Sequence, residues 1–333
     1  MSAYVVERRQ DSGDAVYILR ERISGTRAEV IPAIGAQCAR FAWCAGGHTV
    51  DILKAPPTLD ALREEPVQYG IPVLFPFPNR IAHGRFAFNG RTVELPITEP
   101  ERGHAIHGLV LDRPWTVADF GTEDDSAYIV CTFDWHDHPE VHVFPYPFAL
   151  EYTIRLTADG LHTRFRATNT GDGLLPMGFG LHPWFPVPLV TGGDPQTCRI
   201  EAPVTHMREL DDLIPTGRLF EPEAERDLRR GVQLGRLFFD HAFTGIEAAD
   251  YWDAVYTDTH AGLQVVVRSR ANLTDLVVYT PPDHSAVCLE PYSCATDAFN
   301  LEARGIAAGM VRLAPGDSWS TAVDILVRTA AGT

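Results

Sequence analysis

The sequence predicts an all-β protein folded as a large antiparallel β-sandwich, with a single domain spanning residues 1–333. Three observations predict it: apolar residues recur at every second position, turn residues separate these stretches, and helical periodicity is scarce. The 27 glycines and 25 prolines are spread evenly, so we see no linker, low-complexity segment or repeat. Large all-β folds can hold more than about 200 residues around one core, which favours one domain.

Three elements are predicted in the first part of the chain. Residues 58–65 begin with Thr58, a residue type that caps helix N-termini, and predict one short helix. Residues 86–95 carry the common turn dipeptide Asn89-Gly90 and predict a β-hairpin. Residues 127–135 are rich in β-branched and aromatic side chains and predict a strand.

Residues 148–169 hold the clearest β-hairpin of the sequence. The alternation in 148–156 places five apolar side chains on one face: Phe148, Leu150, Tyr152, Ile154 and Leu156. The other face is mostly polar, a turn containing Gly160 follows, and 161–169 resumes the alternation. These residues therefore predict two antiparallel strands joined by a turn that contains Gly160.

The rest of the chain is predicted with the same rules. A second short helix is expected near 222–230. Residues 262–270 and 275–280 are rich in valine and predict two further strands.

The charge of the chain is strongly acidic. Lys and Arg number 28 against 44 Asp and Glu, a formal net charge of −16. This charge repels phosphate backbones and anionic lipid, so the predicted partners include neither nucleic acid nor a membrane surface. No stretch approaches the ~20 apolar residues of a membrane span, and the first residues lack the apolar run of a signal peptide. A cytoplasmic protein is the expectation.

Polar residues of catalytic type follow apolar stretches at five places. They are Asn79 and Arg80 in IPVLFPFPNRIAHGRF, His104 and His107 in GHAIHG, His182 in GFGLHPWF, Asp240 in LFFDHAF, and Glu290 in AVCLEPYS. An arginine is rarely buried without a partner, so Arg80 requires solvent, an ion pair or a ligand. A carboxylate such as Glu290 is costly to bury unless it is paired or used.

A metal site is not predicted. His104 and His107 are three apart in a strand or loop setting, where they point to opposite faces. His136, His138 and His142 lie in a charged, Pro-containing stretch that indicates an exposed loop. The six cysteines are scattered without a CxxC motif and are interpreted as small buried residues or free thiols.

Together the five stretches resemble the aldose 1-epimerase, or galactose mutarotase, family over residues 30–325. GIPVLFPFPNRIAHGRF is similar to the family's G-x-P-x-L-F-P-x-x-N-R-I-x-x-G-x-F, and HAIHG to its H-x-L-H-G. HPWF is similar to H-P-Y-F, DHAF to D-H-x-F, and EPYSCATDAFN to E-P-x-x-x-x-D-A-F-N. The order along the chain is the family's order. Trp184 stands where the family commonly has Tyr.

The resemblance implies a β-supersandwich with a sugar-binding cleft, and an enzyme without cofactor or metal that interconverts the α and β anomers of a neutral hexose. It implies Glu290 as the general base and His182 as the general acid. The substrate-holding positions that it implies are Arg80, His107 and Asp240, with Asn79 beside Arg80. Trp184 is expected either to give the sugar an apolar wall or to belong to the core.

The residue types suit this chemistry. Anomer exchange removes the proton of the C1 hydroxyl and protonates the ring oxygen, and the open aldehyde then recloses on its other face. A carboxylate and a protonated imidazole on opposite sides of the ring would do this, each proton transfer contributing about 10²–10⁴-fold.

Three alternatives stay open at this point. One is a hexose-6-phosphate mutarotase, and another is a glycoside hydrolase with Asp240 and Glu290 as its carboxylate pair. The third is a sugar-binding protein without catalysis on the same fold. The expected partner in every case is a small-molecule sugar, an aldose for the preferred function, and the expected assembly is a monomer or homodimer.

Overall fold

A computed structural model describes residues 2–45, 47–136 and 138–330. The first half of these residues forms β1 Tyr4–Asp11, β2 Asp14–Glu21, β3 Arg27–Ile31, β4 Gln37–Ala45, β5 His48–Asp51, α1 Leu59–Glu64, β6 Val73–Leu74, β7 Arg80–Ile81, β8 Arg85–Phe88, β9 Arg91–Glu94, β10 Ala105–Ile106, β11 Thr116–Glu123, β12 Ser126–Asp134, β13 Phe148–Leu156 and β14 Gly160–Asn169.

The second half is again dominated by strands. It forms β15 Leu175–Met177, β16 Gly180–Leu181, β17 Trp184–Pro186, β18 Cys198–Glu201, β19 His206–Asp211, β20 Ile214–Phe220, β21 Val232–Gln233, β22 Asp240–Thr244, β23 Tyr251–Asp258, β24 Leu263–Arg270, β25 Asp275–Tyr279, β26 Ala286–Tyr292, α2 Ala298–Ala303, β27 Val311–Leu313 and β28 Ser318–Thr329. The all-β prediction is confirmed. The predicted domain, 1–333, includes Met1 and residues 331–333, which lie outside the described residues, and it stays a prediction.

Three large antiparallel sheets organise the strands. One runs β1-β2-β3-β4-β5, and the largest runs β11-β12-β13-β14-β28-β24-β23-β18-β21. The third runs β20-β19-β22-β25-β26-β16-β6, with β17 also paired to β26. This third sheet is the one that carries the candidate site.

The predicted hairpin at 148–169 forms the centre of the largest sheet. Its register joins Phe148 to Asn169 and Leu156 to Leu161, as the alternation requires. On its buried face Phe148 packs edge-on against Phe75, with ring centroids 4.8 Å apart. Phe75 belongs to the apolar stretch that leads into the Asn-Arg pair, so the core of the large sheet anchors that stretch.

The two helix predictions have different outcomes. The first is confirmed as α1, whose Thr58 side chain accepts a hydrogen bond from the Ala61 N–H at 3.1 Å. The second is wrong, because residues 224–226 and 228–230 form two separate 3-10 turns. Between them Asp227 has an extended backbone, with φ −77° and ψ 91°, and its carboxylate caps the second turn. A side chain that satisfies the backbone locally in this way competes with continuous helix.

None of the helices in the described ranges is long and apolar enough to cross a membrane. The six cysteines, all within the described residues, are free thiols.

Candidate active site

A cavity of about 460 Å³ opens at the surface of the third sheet, where β22, β25, β26 and the residues after β16 lie side by side. All seven side chains singled out as catalytic or substrate-holding line it: Asn79, Arg80, His107, His182, Trp184, Asp240 and Glu290. Residues separated by more than 200 positions in the chain are thus brought to one cleft.

Strand register explains how Glu290 meets His182. β26 pairs Trp184 with Cys288 and Gly180 with Tyr292, and these two pairings have the same register. The same register places residue 182 opposite residue 290. The His182 N–H also donates to the carbonyl of Pro72 at 3.1 Å, which ties the segment to the start of β6.

The Glu290 carboxylate lies at the floor of the cleft, 1% exposed. Its Oε2 is 3.4 Å from His182 Nε2 and accepts a hydrogen bond from the Tyr292 hydroxyl. Burial raises the pKa of Glu290 well above its usual range, and the negative charge of Asp240 adds to this, although the Tyr292 hydrogen bond acts in the opposite direction. The carboxyl group is therefore a much stronger base than an exposed glutamate.

The His182 imidazole is packed between other rings. It stacks on Trp184 with centroids 5.4 Å apart, and His107 meets it edge-on at 5.2 Å. Burial lowers the pKa of His182 to about 3, so the ring is neutral near pH 7 in the free protein. The protonated imidazole expected of a general acid, and its placement across the sugar ring from Glu290, stay predictions. Without a sugar the two side chains lie 3.4 Å apart.

The Glu290–His182 pair nevertheless holds one mobile proton when the carboxyl group is protonated. A carboxylic acid beside a neutral imidazole contains as many protons as a carboxylate beside an imidazolium, and titration of such a pair belongs to both groups. Transfer of one proton between Oε2 and Nε2 converts one form into the other. The arrangement can therefore supply a base and an acid together.

Arg80 is buried and bound to a partner that the sequence analysis missed. Its Nε and Nη2 each donate to a carboxylate oxygen of Glu99 at 2.7 Å, and its Nη1 donates to Asn79 Oδ1 at 3.1 Å. Asn79 adopts a left-handed backbone, φ 54°, immediately before β7. A guanidinium has five N–H groups, so two of them are not used by these three bonds.

His107 and Asp240 complete the polar lining. The His107 N–H donates to the carbonyl of Asn79 at 2.9 Å, and the residue has a φ of 66°. The next residue must be glycine, because a Cβ on Gly108 would lie 2.2 Å from the carbonyl oxygen of Phe75. Burial lowers the pKa of His107, and burial raises the pKa of Asp240 against the opposing effect of Arg80.

The other histidines lie elsewhere. His104 is buried beside a separate, larger cleft of about 1040 Å³, and its Nδ1 accepts from the His83 N–H at 3.1 Å. His136 and His142 are exposed, as expected for a loop. His138 instead stacks on Trp135 with centroids 4.4 Å apart. Within the described residues, His136, His138 and His142 do not form a metal-ligand group.

Two functional neighbours were missed: Glu99, which lines the cleft, and Tyr292, which donates a hydrogen bond to Glu290. Period-two alternation in β26 places Cys288 and Tyr292 on the face of Glu290, so that signal was available in the sequence. No local pattern in the sequence predicts the role of Glu99, because its partner Arg80 lies 19 positions earlier in the chain.

The fold and the cleft define a class of protein: a galactose mutarotase-like β-supersandwich with a buried carboxyl–imidazole pair. A family model for aldose 1-epimerase matches residues 22–325. The chain belongs to the aldose 1-epimerase family.

Similar proteins agree with this assignment. A galactose mutarotase-like protein from Clostridium acetobutylicum superposes with a TM-score of 0.89 at 24% identity, covering 98% of this chain and 99% of the other. Galactose 1-epimerase from Lactobacillus acidophilus superposes with a TM-score of 0.74 at 16% identity, covering 98% of each chain. Uncharacterized protein YihR of Escherichia coli is 26% identical, over 71% of this chain and 74% of that protein.

Proposed function

We propose that the protein is an aldose 1-epimerase that interconverts the α and β anomers of a neutral hexose. The observation that carries the proposal is the buried pair of Glu290 and His182, 3.4 Å apart in a cavity of about 460 Å³. A cavity in the range of about 300–1,000 Å³ is the usual size for a small-molecule site. Membership of the family supports this reaction class.

In the proposed reaction Glu290 is the general base and His182 the general acid. The C1 hydroxyl and the ring oxygen are bonded to the same carbon, so two neighbouring groups can reach both. Glu290 takes the hydroxyl proton, His182 delivers a proton to the ring oxygen, and the C1–O5 bond breaks to leave an aldehyde. After rotation about C1–C2 the groups exchange roles and the ring closes on the other face.

The pair enters this cycle with the proton it needs. Sugar hydroxyls that enter the cleft give the charged pair the hydrogen bonds it lacks in the free protein, which favours carboxylate and imidazolium. Each half-reaction then moves one proton through each group, and the pair holds one proton again at the end. No proton has to come from solvent during ring opening.

The remaining polar groups are proposed to hold the sugar. Arg80 offers its two unused N–H groups, with Asn79 fixing its guanidinium, and His107 and Asp240 orient hydroxyls. Trp184 donates its indole N–H to the carbonyl of Val67 at 2.6 Å, so its contribution is the stacking that orients His182 and a small apolar wall.

Charge in the cleft favours a neutral sugar over a phosphorylated one. The positive charge of Arg80 is compensated by Glu99 at 2.7 Å. Asp240 and Glu290 add further carboxyl groups, which disfavour an incoming phosphate.

Polarimetry of fresh α-D-glucose and α-D-galactose tests the proposal. We expect the wild-type protein to accelerate mutarotation, and Glu290→Gln to lose about 10²–10⁴-fold of kcat while still binding sugar. Glu94→Gln, an exposed carboxylate outside the cleft, is the matched control and should keep full activity.

Unchanged catalysis in Glu290→Gln would contradict the mechanism. Acceleration limited to phosphorylated sugars would instead favour a hexose-6-phosphate mutarotase. Binding of sugar without acceleration of any of them would favour a binding protein.

A further inference from the structure

A third reactive side chain lies against the Glu290–His182 pair. Cys288 contributes a Sγ atom that, with one ligand atom each from His182 and Glu290, forms a group whose members all lie within 4.8 Å of one another. Cys288 is 0% exposed, His182 5% and Glu290 1%. Cys288 is not required by the proposed epimerase mechanism.

Backbone pairing explains the grouping. Cys288 and Glu290 are two positions apart in β26 and so share one face of the strand. The register that pairs Trp184 with Cys288 places residue 182 opposite residue 290. His182 and Glu290 line the cleft, and the buried Cys288 lies beside Glu290 on the same face of β26.

The three donor types are those of a zinc site. Imidazole nitrogen, thiolate and carboxylate bind Zn²⁺ at about 2.0–2.3 Å, and open zinc sites commonly use three protein ligands with the fourth position left to solvent or substrate. Here the fourth position would face the cleft. His182 Nδ1 is buried without a hydrogen-bond partner in the described residues, so an internal hydrogen bond does not compete for that nitrogen.

Charge balance also suits a divalent cation. A Zn²⁺ ion with one thiolate and one carboxylate has no net charge, which greatly reduces the cost of burying it. The charged groups that act on Glu290 are Asp240 and Arg80, which oppose one another, and Lys54 acts on Cys288, where its charge favours the thiolate.

We propose that Cys288, His182 and Glu290 form a binding site for Zn²⁺, and that the bound ion reversibly blocks the cleft against sugar. Binding forms Zn–S, Zn–N and Zn–O bonds. The Cys288 thiol releases its proton to solvent, as does Glu290 where it is protonated, and no electron is transferred. The blocking part rests on the proposed epimerase function, whereas the binding part does not.

Direct metal binding is the first test. Cobalt(II) replaces zinc in such sites and gives an intense near-ultraviolet thiolate-to-metal absorption only when a cysteine is a ligand. We expect wild-type protein to take up one Co²⁺ with this absorption, and Zn²⁺ to displace it. A wild-type protein without the absorption would overturn the proposal, whatever the behaviour of any variant.

Cys288→Ser identifies the ligand. We expect it to lose the cobalt absorption and to bind Zn²⁺ at least about tenfold more weakly in competition with a chromophoric chelator. Cys131→Ser is the matched control, because it removes another buried thiol in β12, and it should bind as the wild type does. Equal affinity in the two variants would overturn the assignment of Cys288.

Mutarotation in the presence of Zn²⁺ separates the two proposals. We expect competitive inhibition that EDTA reverses, and at least about tenfold lower sensitivity in Cys288→Ser, which retains its own turnover. Metal uptake in a protein that does not accelerate mutarotation would refute the epimerase function and leave the zinc site standing. Mutarotation that zinc does not inhibit would refute the blocking role.

Discussion

Glu99 and Glu290 are two buried carboxylates of the same cleft, and their surroundings are opposite. Glu99 meets Arg80 through two bonds of 2.7 Å, so its charge is compensated in place. Glu290 contacts a tyrosine hydroxyl and a neutral imidazole, and burial raises its pKa. The comparison shows that burial alone does not define a reactive carboxylate. A buried carboxylate becomes a strong base where the protein withholds the cation that would stabilise its charge.

Removal of the imidazole is expected to have the largest effect. His182→Gln keeps a polar side chain of related size but cannot cycle a proton, so kcat should fall about 10²–10⁴-fold. Initial-rate polarimetry at several sugar concentrations separates kcat from KM. A variant with normal kcat and a raised KM would mean that His182 only binds substrate.

Removal of the Glu99 carboxylate should lower the free energy of unfolding and leave the chemical step itself intact. Glu99→Ala leaves the Arg80 guanidinium buried without its counter-ion, which is expected to lower the free energy of unfolding by about 3–5 kcal/mol. Urea denaturation measures it. Glu99→Gln, which keeps one acceptor, should lose less. If both variants unfold as the wild type does, Arg80 has another means of support.

The Tyr292 hydroxyl tunes the base. Its hydrogen bond favours ionised Glu290, so Tyr292→Phe should raise the pKa of Glu290 further. The pair must hold one proton to act, and with His182 neutral that proton lies on Glu290, so activity falls as pH rises through the pKa of Glu290. The basic limb of the kcat/KM profile should move to higher pH by about one to two units, since a hydrogen bond to a charged group contributes about 1.5–3 kcal/mol and one pKa unit corresponds to about 1.4 kcal/mol.

Tyr279→Phe is the control for this pH profile, because Tyr279 also lines the cleft but is not bonded to Glu290. An unshifted basic limb in Tyr292→Phe would show that the titrating group is not Glu290.

The smallest effect is expected for removal of the Arg102 side chain, the second arginine that contacts Glu99. Arg102 approaches Glu99 Oε1 at 3.5 Å from a side chain that is 37% exposed. Arg102→Ala should change the free energy of unfolding by no more than about 1 kcal/mol and leave kcat unaltered. A loss as large as that of Glu99→Ala would show that the outer arginine is as important as Arg80.

Local patterns predicted the strands and the motifs predicted the members of the cleft. Alternation of apolar residues is sufficient for the hairpin at 148–169, because one face of each strand must be buried. The resemblance placed Glu290, His182 and Arg80 in one site, and the structure brings their side chains to a common cavity.

Properties that depend on tertiary contacts could not be predicted from the local sequence. The neutral state of His182 follows from the rings packed around it; Trp184 is two residues away in the same motif, but the contact with His107 joins distant parts of the chain. The ion pair of Arg80 depends on a loop residue, Glu99, that has no periodic signal. The failed helix near 222–230 reflects a single carboxylate, Asp227, that caps a turn where the helix would have continued.

The pairings of Gly180 with Tyr292 and of residues 184–186 with residues 286–288 keep one register on both sides of His182, so the alignment of acid and base is set by the pleat. If two reactive groups were held by loops, small insertions could separate them without disturbing the core. Here a single inserted residue on either side would turn one group to the far face of the sheet. The chain can vary its loops freely and still keep this distance, but it cannot change the length of these two segments independently.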